Sequence, residues 1–174
     1  MKRSELEHIL RASAAITGAS EFVVIGSQAI LGQYPDAPAP LVVSIEADVF
    51  SLRSPKDAEL IDGSIGEFSP FHTTFGYYAH GVGEETAVLP AGWKDRLVTI
   101  YGSGTGGATG LCLEVHDLAV SKLVVGREKD TAFVAELLRQ RMADSGILRQ
   151  RLASTTLDDA ARSACAARLG RITG

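Results

Sequence analysis

The chain has 174 residues, of which 45% are hydrophobic and 22% are charged, with 18 glycines and 6 prolines. A chain of this length forms one domain and buries about 70% of its unfolded surface, so its core needs neither a disulfide nor a structural metal. Disordered, collagen-like and miniature disulfide-rich proteins are therefore excluded.

The formal net charge of -4 is unevenly distributed. Residues 1–117 carry a balance of -8, whereas residues 118–174 carry a balance of +4. Two interpretations remain open, a solvated helical surface or a basic arm beside an acidic site.

The chain has no apolar run approaching the roughly 20 residues that span a bilayer, and its first ten residues form a charged amphipathic segment. We therefore expect a cytoplasmic protein without a membrane partner. Cys112 and Cys165 lie far apart without a metal-binding or redox spacing, so we expect both to be buried thiols.

The first half of the chain predicts helices and strands in alternation. Ser4 and Glu7 form a capping box for the first helix, and Ser54 and Pro55 signal the start of another. The predicted elements are a helix over 5–17, a strand over 22–25, a short helix after Gly26-Ser27, a strand over 41–50 and a helix over 55–62.

The second half predicts three strands and then helices. The strands are expected near 72–79, 95–101 and 111–115, with a mobile glycine-rich hairpin loop over 102–110. Helices follow from Leu118, capped by Asp117, over 129–142 and over 156–170. The pattern predicts a mixed α/β (α+β) core over 1–125 and a helical part over 126–174 packed on it as one domain.

Glu46 and Asp48 are the most informative pair of acids. Side chains alternate along a strand, so positions two apart project from the same face at about 7 Å, where two carboxylates suit a hard cation. An exposed strand face explains the pair equally well.

The run Val23-Val24-Ile25 enters a Gly26-Ser27 turn that opens a short helix. Free N–H groups at such a turn suit a triphosphate. A phosphate cradle followed by metal carboxylates is the combination that phosphoryl or nucleotidyl transfer requires. The histidines at 8, 72, 80 and 116 show neither zinc-protease nor triad spacing, so hydrolase chemistry is disfavoured.

These features resemble the polymerase-beta-like nucleotidyltransferases, whose signature is a strand, Gly-Ser, a short helix and a strand with an acid-x-acid pair. Residues 117–130, DLAVSKLVVGREKD, are similar to a later helical motif of the AbiEii-type branch of toxin-like nucleotidyltransferases. The resemblance spans about residues 22–138.

The resemblance implies a role for each matching residue. Magnesium would bind Glu46 and Asp48, with Glu46 standing where aspartate is usual. The resemblance also implies that Gly26 and Ser27 hold phosphate, that Lys122 contacts the nucleotide phosphates and that Asp130 takes the place of the branch's later acid. From its side-chain chemistry, Arg127 suits binding of phosphate or of Asp130. A salt-bridged helical surface is the alternative for Lys122, Arg127, Lys129 and Asp130.

The third strand acid of the family has no obvious equivalent, because the predicted strand over 72–78 contains no acid. Glu114 is a candidate for it, and Glu84 and Glu85 are weaker candidates.

The expected function is transfer of a nucleoside monophosphate from a nucleoside triphosphate to a hydroxyl of RNA or protein. The resemblance implies a toxin with an antitoxin protein as partner. The alternative is a catalytically inactive relative that binds a nucleotide or a partner.

Overall fold

The computed structural model describes residues 1–54 and 56–174, which form a five-stranded sheet and eight α-helices. The strands are β1 (Glu21–Ile25), β2 (Glu46–Ser51), β3 (Tyr78–Gly81), β4 (Val98–Ile100) and β5 (Thr109–Cys112). The helices are α1 (Arg3–Thr17), α2 (Ile30–Gln33), α3 (Asp57–Ile65), α4 (Pro70–Phe75), α5 (Val115–Val125), α6 (Glu128–Arg139), α7 (Ser145–Ala153) and α8 (Asp159–Thr173).

The sheet has the order β3-β2-β1-β5-β4. β1 pairs antiparallel with β2 and parallel with β5, β2 pairs parallel with β3, and β4 pairs antiparallel with β5. The mixed sheet with its helices confirms the α+β class, and the glycine-rich segment joins β4 to β5 as a hairpin.

The strand predicted near 72–79 is wrong over most of its length. The Ser69 hydroxyl accepts a hydrogen bond from the N–H of His72 at 3.1 Å, and Pro70 occupies the first turn, so a helix starts here. α4 ends at Gly76, whose φ of 77° favours glycine. The strand begins only at Tyr78, and this shift brings His80 into the sheet.

The strand predicted over 41–50 is shorter in the structure than the sequence pattern predicts. A 3-10 helix occupies Ala39–Leu41, and β2 begins at Glu46. The terminal amine of Met1 donates to the carbonyl of Ser44 at 2.9 Å, and only Ile45, just before β2, accepts from the N–H of Tyr78 on β3. A 3-10 helix over Trp93–Arg96 likewise shortens the strand predicted over 95–101.

The predicted helix caps at Ser4, Ser54 and Asp117 are wrong, and Lys56 rather than Ser54 precedes α3. α1 begins before Ser4, and the side chain of Glu5 accepts from the N–H of Lys2 at 2.7 Å. α5 begins at Val115 with Glu114 as its cap, so Asp117 lies within the helix and is fully buried.

The C-terminal helices also differ from their predicted limits. α7, capped by Asp144, was not predicted, and α8 begins after Asp158 and continues through Gly170. α6 covers most of the predicted 129–142 helix. The predicted helical position of Pro55 lies outside the described residues, and α3 begins at Asp57.

One hydrophobic cluster joins the sheet to the helices. It includes Val23 and Val49 of the sheet, Leu123 of α5 and Leu169 of α8. Cys112 and Cys165 are buried and free, as predicted. Among residues 1–54 and 56–174, every helix is too short or too polar to cross a bilayer.

Candidate active site

Glu46 and Asp48 project from one face of β2, as predicted. They alternate with the buried residues Ala47 and Val49, and their own side chains are 35% and 27% exposed. β3 runs parallel beside them and places His80 opposite Asp48 in register. The imidazole Nδ1 of His80 lies 3.1 Å from Oε1 of Glu46 and 3.0 Å from Oδ1 of Asp48. Three side chains from two strands therefore converge.

The Gly26-Ser27 turn lies directly against this group. Ile25 pairs with Asp48 across the antiparallel strands, and Gly26 follows with a φ of 68°. A Cβ at Gly26 would lie 2.0 Å from Oδ2 of Asp48, so any side chain there would have a strained backbone and would displace the Asp48 carboxylate. A 3-10 helix, Ser27–Ala29, begins at Ser27 and α2 follows, which confirms the predicted strand, turn and short helix.

Burial and neighbouring charges shift the pKa values of Asp48, His80 and Tyr78. Burial, and then the charge of Glu46, raise the pKa of Asp48 to about 6. Burial lowers the pKa of His80, but its hydrogen bond to Asp48 and the two acid charges outweigh burial and raise it overall. The hydroxyl of Tyr78 donates to Oε2 of Glu46 at 3.0 Å, and burial together with this bond raises the pKa of Tyr78 to about 12. Negative charge is concentrated where a cation would relieve it.

Lys122, Arg127 and Asp130 form a second group, at the junction of α5 and α6. Nζ of Lys122 lies 3.3 Å from Oδ1 of Asp130, and Nε of Arg127 donates to its Oδ2 at 2.7 Å. Burial raises the pKa of Asp130, but the hydrogen bond from Arg127 and the charge of Lys122 outweigh it and hold the pKa below its ordinary value.

The arginine of this group is influenced by the charges of the acid face. The hydrogen bond to Asp130 is the main cause that raises the pKa of Arg127, and the charges of Asp48 and Glu46 add to it. α5 also packs against the 3-10 helix that follows Gly26. The sequence motif therefore folds into an ion cluster whose arginine is within electrostatic range of the acid face. Contact of Lys122 with a nucleotide stays a prediction.

His80 and Tyr78 were missed at the sequence level. The segment in which a third acid is expected is largely α4 rather than a strand. The place of His80 in the site follows only from its pairing with Asp48. Glu114, one candidate for that acid, accepts from the N–H of His116 at 3.1 Å and lies 2.6 Å from its Nδ1. It caps α5 and does not join the acid face.

The donor atoms of Glu46, Asp48 and His80 all lie within 4.8 Å of one another. Two carboxylates and an imidazole are a ligand set that divalent metals take, and the atoms are spaced so that one ion can reach all three. The residues present therefore fit a single divalent cation. His80 extends the predicted pair, Glu46 and Asp48, to a candidate triad of metal ligands.

The protein has an α+β fold whose mixed sheet places acids beside a Gly-Ser turn. This arrangement is consistent with a nucleotidyltransferase-like protein. In agreement, the model of the family described as "Nucleotidyltransferase of unknown function (DUF6036)" matches residues 4–168. The chain belongs to this nucleotidyltransferase family. No curated protein and no solved structure matched the chain.

Proposed function

We propose that this protein is a metal-dependent nucleotidyltransferase that transfers a nucleoside monophosphate from a nucleoside triphosphate to an acceptor hydroxyl. One observation carries the proposal: the Asp48 carboxylate lies against the Gly26 turn and converges with Glu46 and His80. Metal ligands and a candidate phosphate cradle thus adjoin each other, as in-line displacement at a phosphorus requires.

The roles of the side chains follow from their chemistry. Glu46, Asp48 and His80 would hold a divalent cation, which neutralises charge as pyrophosphate leaves. Our sequence-based expectation for this ion is Mg²⁺. The backbone of Gly26 and Ser27 would receive the phosphates without side-chain obstruction.

The charged group at the junction of α5 and α6 would also bind the triphosphate. Arg127 is exposed and carries the planar donor array that matches phosphate, while Lys122 supplies a point charge. Asp130 would hold both cations in position, because its carboxylate contacts each of them.

The proposal extends to the acceptor and to the partner protein. Membership of the AbiEii-type branch would imply a toxin, an RNA or protein hydroxyl as acceptor and an antitoxin protein. The basic second half offers limited support for RNA, because three of its arginines serve the fold. These are Arg151, which pairs with Asp117, and Arg162 and Arg168, which donate to backbone carbonyls.

The test is covalent labelling. The protein is incubated with α-phosphate-labelled nucleoside triphosphates, Mg²⁺ or Mn²⁺, and bulk RNA or protein, and covalently bound label is separated from free nucleotide. Asp48→Asn should abolish transfer, whereas Asp159→Asn, the same change at an exposed acid of α8, should retain it. Equal labelling by wild type and Asp48→Asn would contradict the proposal.

A catalytically inactive binding module is the second candidate. The observation that favours it is the imidazole of His80 on the strand beside the acid pair, where the family resemblance leads one to expect a third carboxylate. A catalyst should bind a nonhydrolysable nucleotide more tightly with the divalent ion than without it. An inactive binder should bind the nucleotide equally in both conditions and transfer no label.

A further inference from the structure

His80 brings a nitrogen donor into a site that the sequence predicts to be built from oxygen alone. The residue lies on β3 directly opposite Asp48, and its side chain is 49% exposed, so an ion can approach the ring from solvent. Its Nδ1 is directed between the two carboxylates rather than toward only one of them. The position of the ring is fixed by the register of two paired strands.

The spacing of His80 from each of the two acids matches that of adjacent ligands around one ion. In octahedral coordination with bonds of about 2.1 Å, neighbouring ligand atoms lie about 3 Å apart. Nδ1 of His80 lies 3.0 Å from Oδ1 of Asp48 and 3.1 Å from Oε1 of Glu46. The ring therefore needs little movement to place its lone pair on an ion held by both carboxylates.

Mg²⁺ prefers an all-oxygen shell and loses its water reluctantly, whereas imidazole suits transition-metal ions. We propose that His80 is a metal ligand and that it makes this site prefer a divalent transition-metal ion, such as Mn²⁺, over Mg²⁺. This inference deepens the proposed function, on which it rests, because the ion would occupy the same site.

An alternative role for His80 is that of a counter-ion, whose positive charge offsets Glu46 and Asp48. The two roles predict opposite effects of removing the ring. Loss of a ligand weakens metal binding, whereas loss of a competing positive charge strengthens it. His80→Ala therefore separates them, and circular dichroism checks that this variant of an exposed residue remains folded.

The experiment measures binding of Mn²⁺ and of Mg²⁺ separately, by calorimetry at one fixed pH and without nucleotide. The proteins are the wild type, His80→Ala, His80→Asp, which restores an all-oxygen set, and His72→Asp. The last variant is the matched control, because it makes the same change on α4, where the His72 ring packs on Tyr78 rather than on the acids.

We expect the ratio of Mn²⁺ to Mg²⁺ affinity to fall about tenfold or more in His80→Asp and to remain near the wild-type value in His72→Asp. His80→Ala should weaken Mn²⁺ binding by a similar factor. The electron spin-echo spectrum of bound Mn²⁺ should show modulation from an imidazole nitrogen, and His80→Asp should remove it.

An unchanged affinity ratio in His80→Asp, tighter Mn²⁺ binding by His80→Ala, or a missing nitrogen modulation would each overturn the inference. These failures are distinct from failure of the proposed function. Nitrogen-ligated, selective Mn²⁺ binding without label transfer would contradict only the function, and label transfer with an unchanged ratio would contradict only the inference.

Discussion

The ionised Asp48 carboxylate destabilises the metal-free protein. Its pKa is raised from 3.8 to about 6, first by burial and then by Glu46, so the folded state binds the proton more tightly than the unfolded state does. The free energy of unfolding should therefore fall as the pH rises from about 4 to about 6. The ionised carboxylate that the proposed metal-binding role requires therefore lowers stability, as is common at active sites.

We expect Asp48→Asn to raise the free energy of unfolding at pH 7 by about 1 kcal/mol or more in metal-free buffer, because the variant keeps the shape and removes the charge. The difference from wild type should disappear below about pH 4. Urea titrations at pH 4 and pH 7 measure both values. A less stable variant at pH 7 would instead identify Asp48 as a stabilising partner of His80.

Phe68 has an unfavourable backbone conformation without compensating burial. Its φ is 62°, a region that a bulky residue adopts at a cost of roughly 1–2 kcal/mol, and its side chain is 85% exposed. We expect Phe68→Asn to raise the free energy of unfolding by about 0.5–1 kcal/mol, because asparagine tolerates this region. Chemical denaturation measures the change, with Phe75→Asn on α4 as a control that has no such strain to relieve. A loss of stability in Phe68→Asn would show that its contact with His72 matters more than the backbone.

At the scale of single elements, local patterns predicted β1, β2 and the acids of β2, because alternation within a few residues is a property of the strand itself. Patterns did not predict β3, because the apolar and aromatic residues of 71–78 fit a strand as well as a helix. The helix is selected by the Ser69 cap and Pro70. The third metal donor was beyond local reasoning, because His80 meets Asp48 only through pairing across 32 positions.

The α5–α6 motif shows a second limit of prediction from the sequence. Its composition predicted a cluster of charges, and the structure places Lys122 and Arg127 on the buried Asp130 carboxylate. Composition alone could not decide between a nucleotide site and an ion cluster, since the same three residue types suit both. Their distance from the acid face depends on how α5 packs against the sheet, which is a long-range property.

Asp130 should stabilise the α5–α6 junction in a pH-dependent way. Its pKa is lowered, so its contribution is complete above the ordinary aspartate pKa and is lost as the pH falls through the lower, folded value. We expect Asp130→Asn to reduce the free energy of unfolding at pH 7 by about 1–2 kcal/mol, since Arg127 remains partly solvated, and to flatten the loss of stability below about pH 4. Denaturation between pH 2.5 and 7 tests both effects, and an acid limb as steep as that of wild type would contradict the assignment.

At the scale of the whole molecule, Asp117 connects three parts of the chain. It is fully buried in α5 and accepts from Nε and Nη2 of Arg96 at 2.8 and 3.0 Å, while Nε of Arg151 on α7 lies 3.4 Å away. Arg96 precedes β4, so one carboxylate joins the sheet to the C-terminal helices. This is its structural role in place of the predicted helix cap.

Removing the Asp117 charge should leave both arginines without their anion. We expect Asp117→Asn to lower the free energy of unfolding by about 3 kcal/mol, in the range for breaking a buried ion pair. Asp95→Asn is the control, because Asp95 is an exposed neighbour of Arg96 in the chain, and it should change stability little. Similar losses in both variants would show that general charge, rather than the buried network, is responsible.

The C-terminal helices and the core should unfold together. Leu148, Leu152 and Leu169 of the helical part belong to the same hydrophobic cluster as α5 and the sheet, and Nη1 of Arg168 donates to the carbonyl of Leu123 at 2.8 Å. Separating the two parts at residue 125 would expose this apolar surface on both sides, which makes a half-folded state costly.

The single tryptophan allows this cooperativity to be measured. Trp93 lies in the first part, before β4, so its fluorescence reports the core, whereas far-ultraviolet circular dichroism reports the helices of both parts. We expect the two probes to give the same urea midpoint and the same slope for wild type and for Asp117→Asn, with both midpoints lowered equally in the variant. A helical transition that persists after the tryptophan signal has changed would show that residues 126–174 form a separately stable unit.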